Sequence, residues 1–277
     1  MVHHNVVDSP DTALQAGMRD ITHSYRPGQH VAERWFAAPA RPSIPQGAPW
    51  ASVRNGDTLS LYVPEFADAA AGHWAFAERS GFGGLSTGAR SDAVDDTARA
   101  VLYRDGKQIT ASDTGAWGTV EVPSGKAEYR LDLTTARVSD DWHFGTSTNT
   151  SWMFRSDTTT SPETLPLLQV DYSVPVDAQN AVGSGRRHTI GLKVRMQDGM
   201  ATPRGVTLKV ETSYDDGKSW ATAHTAQRGN NRFTATIERP SRLRGDAYAT
   251  LRITASDAAG NTVRQTVNRA YLHSGTR

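Results

Sequence analysis

The sequence predicts an all-β chain of two antiparallel β-sandwich domains, the first jelly-roll-like and the second immunoglobulin- or fibronectin-III-like. Three observations predict it. Short segments alternate apolar and polar residues at period 2, turn residues separate them, and the composition favours Thr, Ser, Ala, Gly and Val over Leu, Ile and Met. At 277 residues the chain has length for two ordinary domains and for a core that needs no disulfide or metal.

Residues 1–24 have no clear period and read as a linker, with a helical turn around Ala13 to Met18 and with His3, His4 and His23 among polar neighbours. The first sandwich is expected over 25–156. The prolines of Arg41-Pro-Ser-Ile-Pro45 extend the chain. Asn55-Gly56-Asp57 turns it into a strand at 58–64, where Leu59, Leu61 and Val63 share a face. A Gly-, Ala- and Ser-rich loop follows from Ala67 to about Asp96. The strand at 97–104 meets Asp105-Gly106, a hairpin signal because both central positions of a type I′ turn need φ > 0. The chain returns at 108–110. Strands at 119–122 and 127–134 flank Pro123-Ser-Gly-Lys126, and a strand at 150–155 puts Trp152 beside Phe154.

Residues 157–164 hold no apolar side chain and mark a linker. The second sandwich is expected over 165–277, with strands at 165–174, 188–196, 206–212, 219–225, 232–237, 247–255 and 262–271. Seven short strands at this spacing suit an immunoglobulin-like sandwich of the disulfide-free kind. In the sixth, Ala249, Leu251 and Ile253 face one way and Thr250, Arg252 and Thr254 the other.

The net charge is +1 with no block of like charge, so no nucleic-acid partner is expected. The absence of cysteine removes disulfide frameworks, thiolate zinc sites and cysteine nucleophiles. No stretch approaches the roughly 20 apolar residues of a membrane span. The first fifteen residues lack the charged and apolar regions of a signal peptide.

No catalytic, cofactor-binding or metal-ligating residue is assigned. Gly145-Thr146-Ser147 matches a serine-peptidase nucleophile tripeptide, but Thr148-Asn149-Thr150 leads into a strand rather than a helix, and it reads as a turn. The nine histidines form no ligand spacing; His73 and His143 sit beside aromatics and read as packing or loop capping. Asp95-Asp96, Asp140-Asp141 and Asp215-Asp216 read as solvated turns. No loop offers the several oxygens calcium wants, so no cofactor is expected, and calcium between loops is the one ion left open.

Two turns carry structural signatures. Ser213-Tyr-Asp215-Asp-Gly217-Lys-Ser-Trp220 fits the Asp-box pattern of sialidase-like propellers. Here Asp215 is expected to bond the amides of its own turn, Gly217 to take φ > 0 and Trp220 to cover the hairpin. One copy makes no propeller. Asp257-Ala-Ala-Gly260-Asn261 joins the last two strands, with Gly260 and Asn261 both tolerant of φ > 0.

Several segments resemble, in order and spacing, the C-terminal non-catalytic region of the large subtilisin-family serine peptidases secreted by Streptomyces and related actinobacteria. They are Tyr25-Arg-Pro-Gly-Gln29, Glu33-Arg-Trp-Phe36, Leu102-Tyr-Arg-Asp-Gly-Lys107, Tyr129-Arg-Leu131, Ser151-Trp-Met-Phe-Arg-Ser156, Leu165-Pro-Leu167, the stretch 210–220 and the stretch 251–271. The resemblance covers about residues 20–273. It implies an extracellular parent with its catalytic domain upstream; none of the family's catalytic residues has a counterpart here.

The expected function is therefore a non-catalytic accessory region that stabilises the parent peptidase or positions protein substrate. Its partners would be the parent's catalytic domain and a protein or polysaccharide polymer. The alternative is a carbohydrate- or wall-binding module, which exposed flat placement of Trp74, Trp117 and Trp142 would favour and burial would oppose. A stand-alone hydrolase ranks last, because no acid–base pair can be nominated.

Overall fold

A computed structural model describes residues 2–3, 6–7, 18–76, 96–137 and 143–275. Four two-residue strands lead in: β1 (Val2–His3), β2 (Val6–Val7), β3 (Met18–Arg19) and β4 (His23–Ser24). They pair β1 with β4 and β2 with β3. Of the expected helical turn only Met18 is described, and it is a fully buried strand residue. Arg19 and Trp74 exchange backbone hydrogen bonds, so the chain is docked from residue 18 onward.

The first sandwich comprises β5 (Val53–Asn55), β6 (Thr58–Val63), β7 (Thr97–Arg104), β8 (Lys107–Ser112), β9 (Ala116–Glu121), β10 (Ala127–Ala136) and β11 (Ser147–Ser156). One sheet runs β5–β6–β9 and the other β8–β7–β10–β11. Alternation explains the faces: in β6, Leu59, Leu61 and Val63 are buried and the residues between them half-buried. The order differs from the jelly roll expected. Three sequence-adjacent pairs (β5–β6, β7–β8 and β10–β11) lie side by side, which is the A-B-E against C′-C-F-G order of an immunoglobulin-type sandwich. Tight turns such as Asp105-Gly106, both at positive φ, force neighbours in sequence to be neighbours in the sheet.

After β12 (Glu163–Thr164) comes the second sandwich: β13 (Gln169–Ser173), β14 (Ala181–Val182), β15 (Arg187–Arg195), β16 (Thr207–Ser213), β17 (Ala221–Thr222), β18 (His224–Gln227), β19 (Arg232–Glu238), β20 (Ala247–Ser256) and β21 (Thr262–His273). One sheet runs β13–β15–β19–β18 and the other β17–β16–β20–β21, with β14 parallel to the end of β21. The strand expected at 219–225 is two strands, because the chain passes from one sheet to the other at Ala223.

The two sandwiches repeat one topology, and the sequence carries a trace of it. Tyr103-Arg-Asp-Gly-Lys107 and Tyr214-Asp-Asp-Gly-Lys218 occupy equivalent hairpins, with Asp105, Gly106, Asp216 and Gly217 all at positive φ. Thr119-Val-Glu-Val-Pro-Ser124 and Thr236-Ile-Glu-Arg-Pro-Ser241 leave equivalent strands.

The halves are also fused. β11 pairs antiparallel with β21, from Ser147 opposite Asn268 to Met153 opposite Thr262, so one sheet runs β17–β16–β20–β21–β11–β10–β7–β8. A single hydrophobic cluster extends through both sandwiches, and the Trp152 indole donates to the Leu168 carbonyl at 2.8 Å. The segment expected as a linker is packed: Thr158 Oγ1 donates to Asp57 at 2.6 Å, and β12 pairs with β5. Residues 34–52 form a strap across the second sandwich. The Ala38 amide donates to Asn180, Arg41 to the Val170 carbonyl, the Ile44 amide to Gln169 and the Ser52 amide to Gln197.

Candidate functional site

A polar cleft of about 200 Å³ lies where the strap and residues 67–73 meet β13 and β15; Arg41, Asp68, His73, Asp171, Lys193 and Arg195 line it. Arg41 is buried and gives its guanidinium to the carbonyls of Ala67, Asp68 and Val170. Burial lowers its pKa from the ordinary arginine value. The Arg195 Nε–H is shared between the two Asp171 carboxylate oxygens at 2.9 and 3.1 Å, and its Nη2 donates to the Ile44 carbonyl. Both cations therefore tie the strap to the second sandwich.

His73 lies on the floor of this cleft, its Nδ1 2.9 Å from Asp68 and its ring stacked on Trp35 at 4.0 Å. Burial opposes protonation of His73, but the hydrogen bond and charge of Asp68 outweigh it and the pKa is raised. Asp68 also accepts from the Ala37 and Ala70 amides. Among the described residues no hydroxyl is hydrogen-bonded to His73. The pair has the orienting half of a nucleophilic triad, and its geometry serves to pin a loop.

A second polar cluster closes the far end of the second sandwich. His188 shares a 2.7 Å hydrogen bond with the Tyr271 hydroxyl, and its ring meets His273 edge-on at 4.9 Å. His273 in turn holds the Tyr214 hydroxyl and the Gly185 carbonyl, each at 2.7 Å. Burial, reinforced by His273, pushes His188 down to about 4. The Tyr214 and Tyr271 hydroxyls are pushed up by burial, so the cluster is neutral at pH 7.

The residues singled out by sequence fall in separate places. Asp215 accepts from the Ser219 amide at 2.8 Å and from the Ser213 hydroxyl at 2.6 Å, and these bonds hold its carboxyl well below the usual range. Gly217 has φ 85° and faces the Trp220 ring, which the Arg252 guanidinium covers at 4.0 Å. Asp257 accepts from the Ala259 and Asn261 amides, and the Asn261 side chain donates back to it at 2.9 Å. Gly260 alone of that pair has positive φ; Asn261 is buried and used for its amide group. Ser147 opens β11, where its hydroxyl accepts from the Asn268 side chain. Asp95, Asp140, Asp141 and Trp142 lie outside the described residues. Among the described residues no group of three or more His, Asp or Glu could hold a metal ion, and no helix is long and apolar enough to cross a membrane.

Among the described residues the tryptophans form no flat platform. Trp74 is 8 % exposed and meets Trp50 edge-on at 5.0 Å; Trp117, half-buried, meets Trp50 at 5.5 Å and Phe76 at 4.5 Å, also edge-on. Sugar stacking needs open ring faces, and these rings spend theirs on one another. Sequence reading missed the strap clamps and the His–Tyr cluster. The only signals were an Arg and a His inside apolar strand patterns.

The chain is thus an all-β protein of antiparallel sandwich architecture. No protein-family model matches it, and no curated protein does either.

Proposed function

We propose that the chain is a non-catalytic accessory region of a secreted subtilisin-like serine peptidase, stabilising the enzyme or positioning its protein substrate. One observation carries the non-catalytic part. Ser147, the only serine set in a nucleophile-like tripeptide, has a hydroxyl that accepts from the Asn268 side chain, while His73, His188 and His273 are bonded to Asp68, Tyr271 and Tyr214. The accessory part is supported by the ordered series of segments resembling that peptidase family. A continuous sheet and a shared core suit a rigid platform beside a catalytic domain.

The test has two arms. Casein hydrolysis and fluorophosphonate labelling of the purified chain are expected to be absent; stoichiometric labelling of Ser147 would overturn the reading. An actinobacterial subtilisin-like catalytic domain is expected to keep its activity longer at raised temperature with the chain fused to its C-terminus. An unchanged half-life and unchanged cleavage of polymeric substrate would sink the accessory role.

A further inference from the structure

We propose that the open edge of the first sandwich is a strand-addition site for an extended segment of another polypeptide. The repeat within the chain supplies the template. In the second sandwich β18 completes the edge of its sheet, pairing antiparallel with β19 so that His224 lies opposite Thr236 and Ala226 opposite Thr234. In the first sandwich only residues 113–115 separate β8 from β9, too few to form a strand, and among the described residues the backbone of β9 pairs with β6 alone.

β9 and β19 align residue for residue. Ala116-Trp-Gly-Thr-Val-Glu121 matches Phe233-Thr-Ala-Thr-Ile-Glu238, and each glutamate lies opposite the first residue of its neighbour, Thr58 for Glu121 and Arg187 for Glu238. Thr119 therefore occupies the place of Thr236, which β18 covers. The Val122 amide donates to the Asp57 carbonyl, and alternation from that pair turns the backbone groups of Thr119 and Glu121 away from β6. Neither has a backbone partner among the described residues.

The inward positions differ in size. Where the second sandwich has Phe233, Ala235 and Ile237, the first has Ala116, Gly118 and Val120, each smaller. The missing volume is a cleft of about 180 Å³ beside β9, floored by Leu61, Leu102 and Leu131. A Cβ placed on Gly118 would meet nothing within 4 Å. Unpaired amides and carbonyls beside an apolar slot ask for an occupant with a peptide backbone and a bulky apolar side chain at alternate positions. A sugar or a phosphate would leave the backbone ladder unmade. The segment runs antiparallel to β9, as β18 does to β19, with an aromatic or aliphatic side chain filling the space above Ala116. This site does not depend on the peptidase reading.

The experiment uses the whole chain and a fluorescein-labelled peptide, Thr-Ala-Thr-Phe-Thr-Ala-Thr, followed by anisotropy and by amide hydrogen exchange. Saturable binding is expected, with exchange slowed at Thr119 and Glu121. Thr119→Pro removes an amide that points away from the sheet, a change edge strands tolerate, and Ala116→Phe fills the slot from within. Each is expected to weaken binding by about tenfold or more while the chain keeps its cooperative melt. Absence of binding by the wild-type chain, or binding that survives both substitutions, overturns the proposal. Concentration-dependent dimerisation lost in Thr119→Pro would make a second copy the occupant and overturn the choice of a foreign segment. Peptide binding without any effect on the catalytic domain would leave this site standing and remove only the peptidase reading.

Discussion

Leu131 in β10 and Leu251 in β20, one in each sandwich, are both fully buried. Leu131 lies opposite Trp152 and Leu102; Leu251 lies opposite Thr212 and Val267. Replacing either by Ala leaves a cavity that strands paired on both sides cannot close, at a cost of about 3 kcal/mol. For a chain of this size that lowers the melting midpoint by about 6–12 °C. The two sandwiches share a sheet and a core, so scanning calorimetry is expected to give one transition that moves as a whole, whichever leucine is changed. Trp152 in the first sandwich and Trp220 in the second provide optical probes that should shift together. Two transitions, with only the one belonging to the mutated sandwich displaced, would refute the fused-core reasoning.

Histidine gives a pH prediction. His188 is held at about 4 against roughly 6.5 when unfolded, so the unfolded chain takes up a proton first as pH falls. Its contribution is intact above about pH 6.5 and is lost as pH drops toward 4. His273 acts with the same sign, and His73, whose pKa is raised, with the opposite one. Melting midpoints are expected to fall across that window in the wild-type chain and less steeply in His188→Phe; equal slopes would count against the assignment. Gly217→Ala places a Cβ at φ 85° against Trp220 and should cost about 1–2 kcal/mol in urea denaturation. Gln265→Leu orphans the Pro42 carbonyl and the Tyr172 hydroxyl, a loss of about 1–3 kcal/mol, and limited proteolysis should then nick the strap between residues 34 and 52.

Much of the strand content was legible, because a half-buried strand writes its two faces as alternation, as at Leu59, Leu61 and Val63 or at Ala249, Leu251 and Ile253. The turn at Asp105-Gly106 was legible for the same local reason. Strand order was not. That β11 borders β21, from Ser147 opposite Asn268 to Met153 opposite Thr262, is a pairing between segments more than a hundred residues apart, and alternation at either strand says only that one face is buried. The repeat of topology escaped notice because it survives in two turns and one strand of five or six residues, while the apolar positions between them were free to drift in size. The polar clamps were hidden differently. Arg41 and Gln265 look like surface residues in sequence, and only packing from distant segments makes them interior.

The placement of β21 bears on the order in which such a chain folds. The first sandwich is synthesised first, yet one long edge of its sheet, β11, is closed only by residues 262–268. Until those residues arrive, residues 147–153, with alternate backbone groups turned away from β10, stand open to any neighbour that can pair with them. Cleavage or premature termination ahead of Thr262 would thus damage the half of the molecule farthest from the lesion, turning a loss at the tail into self-association at the front.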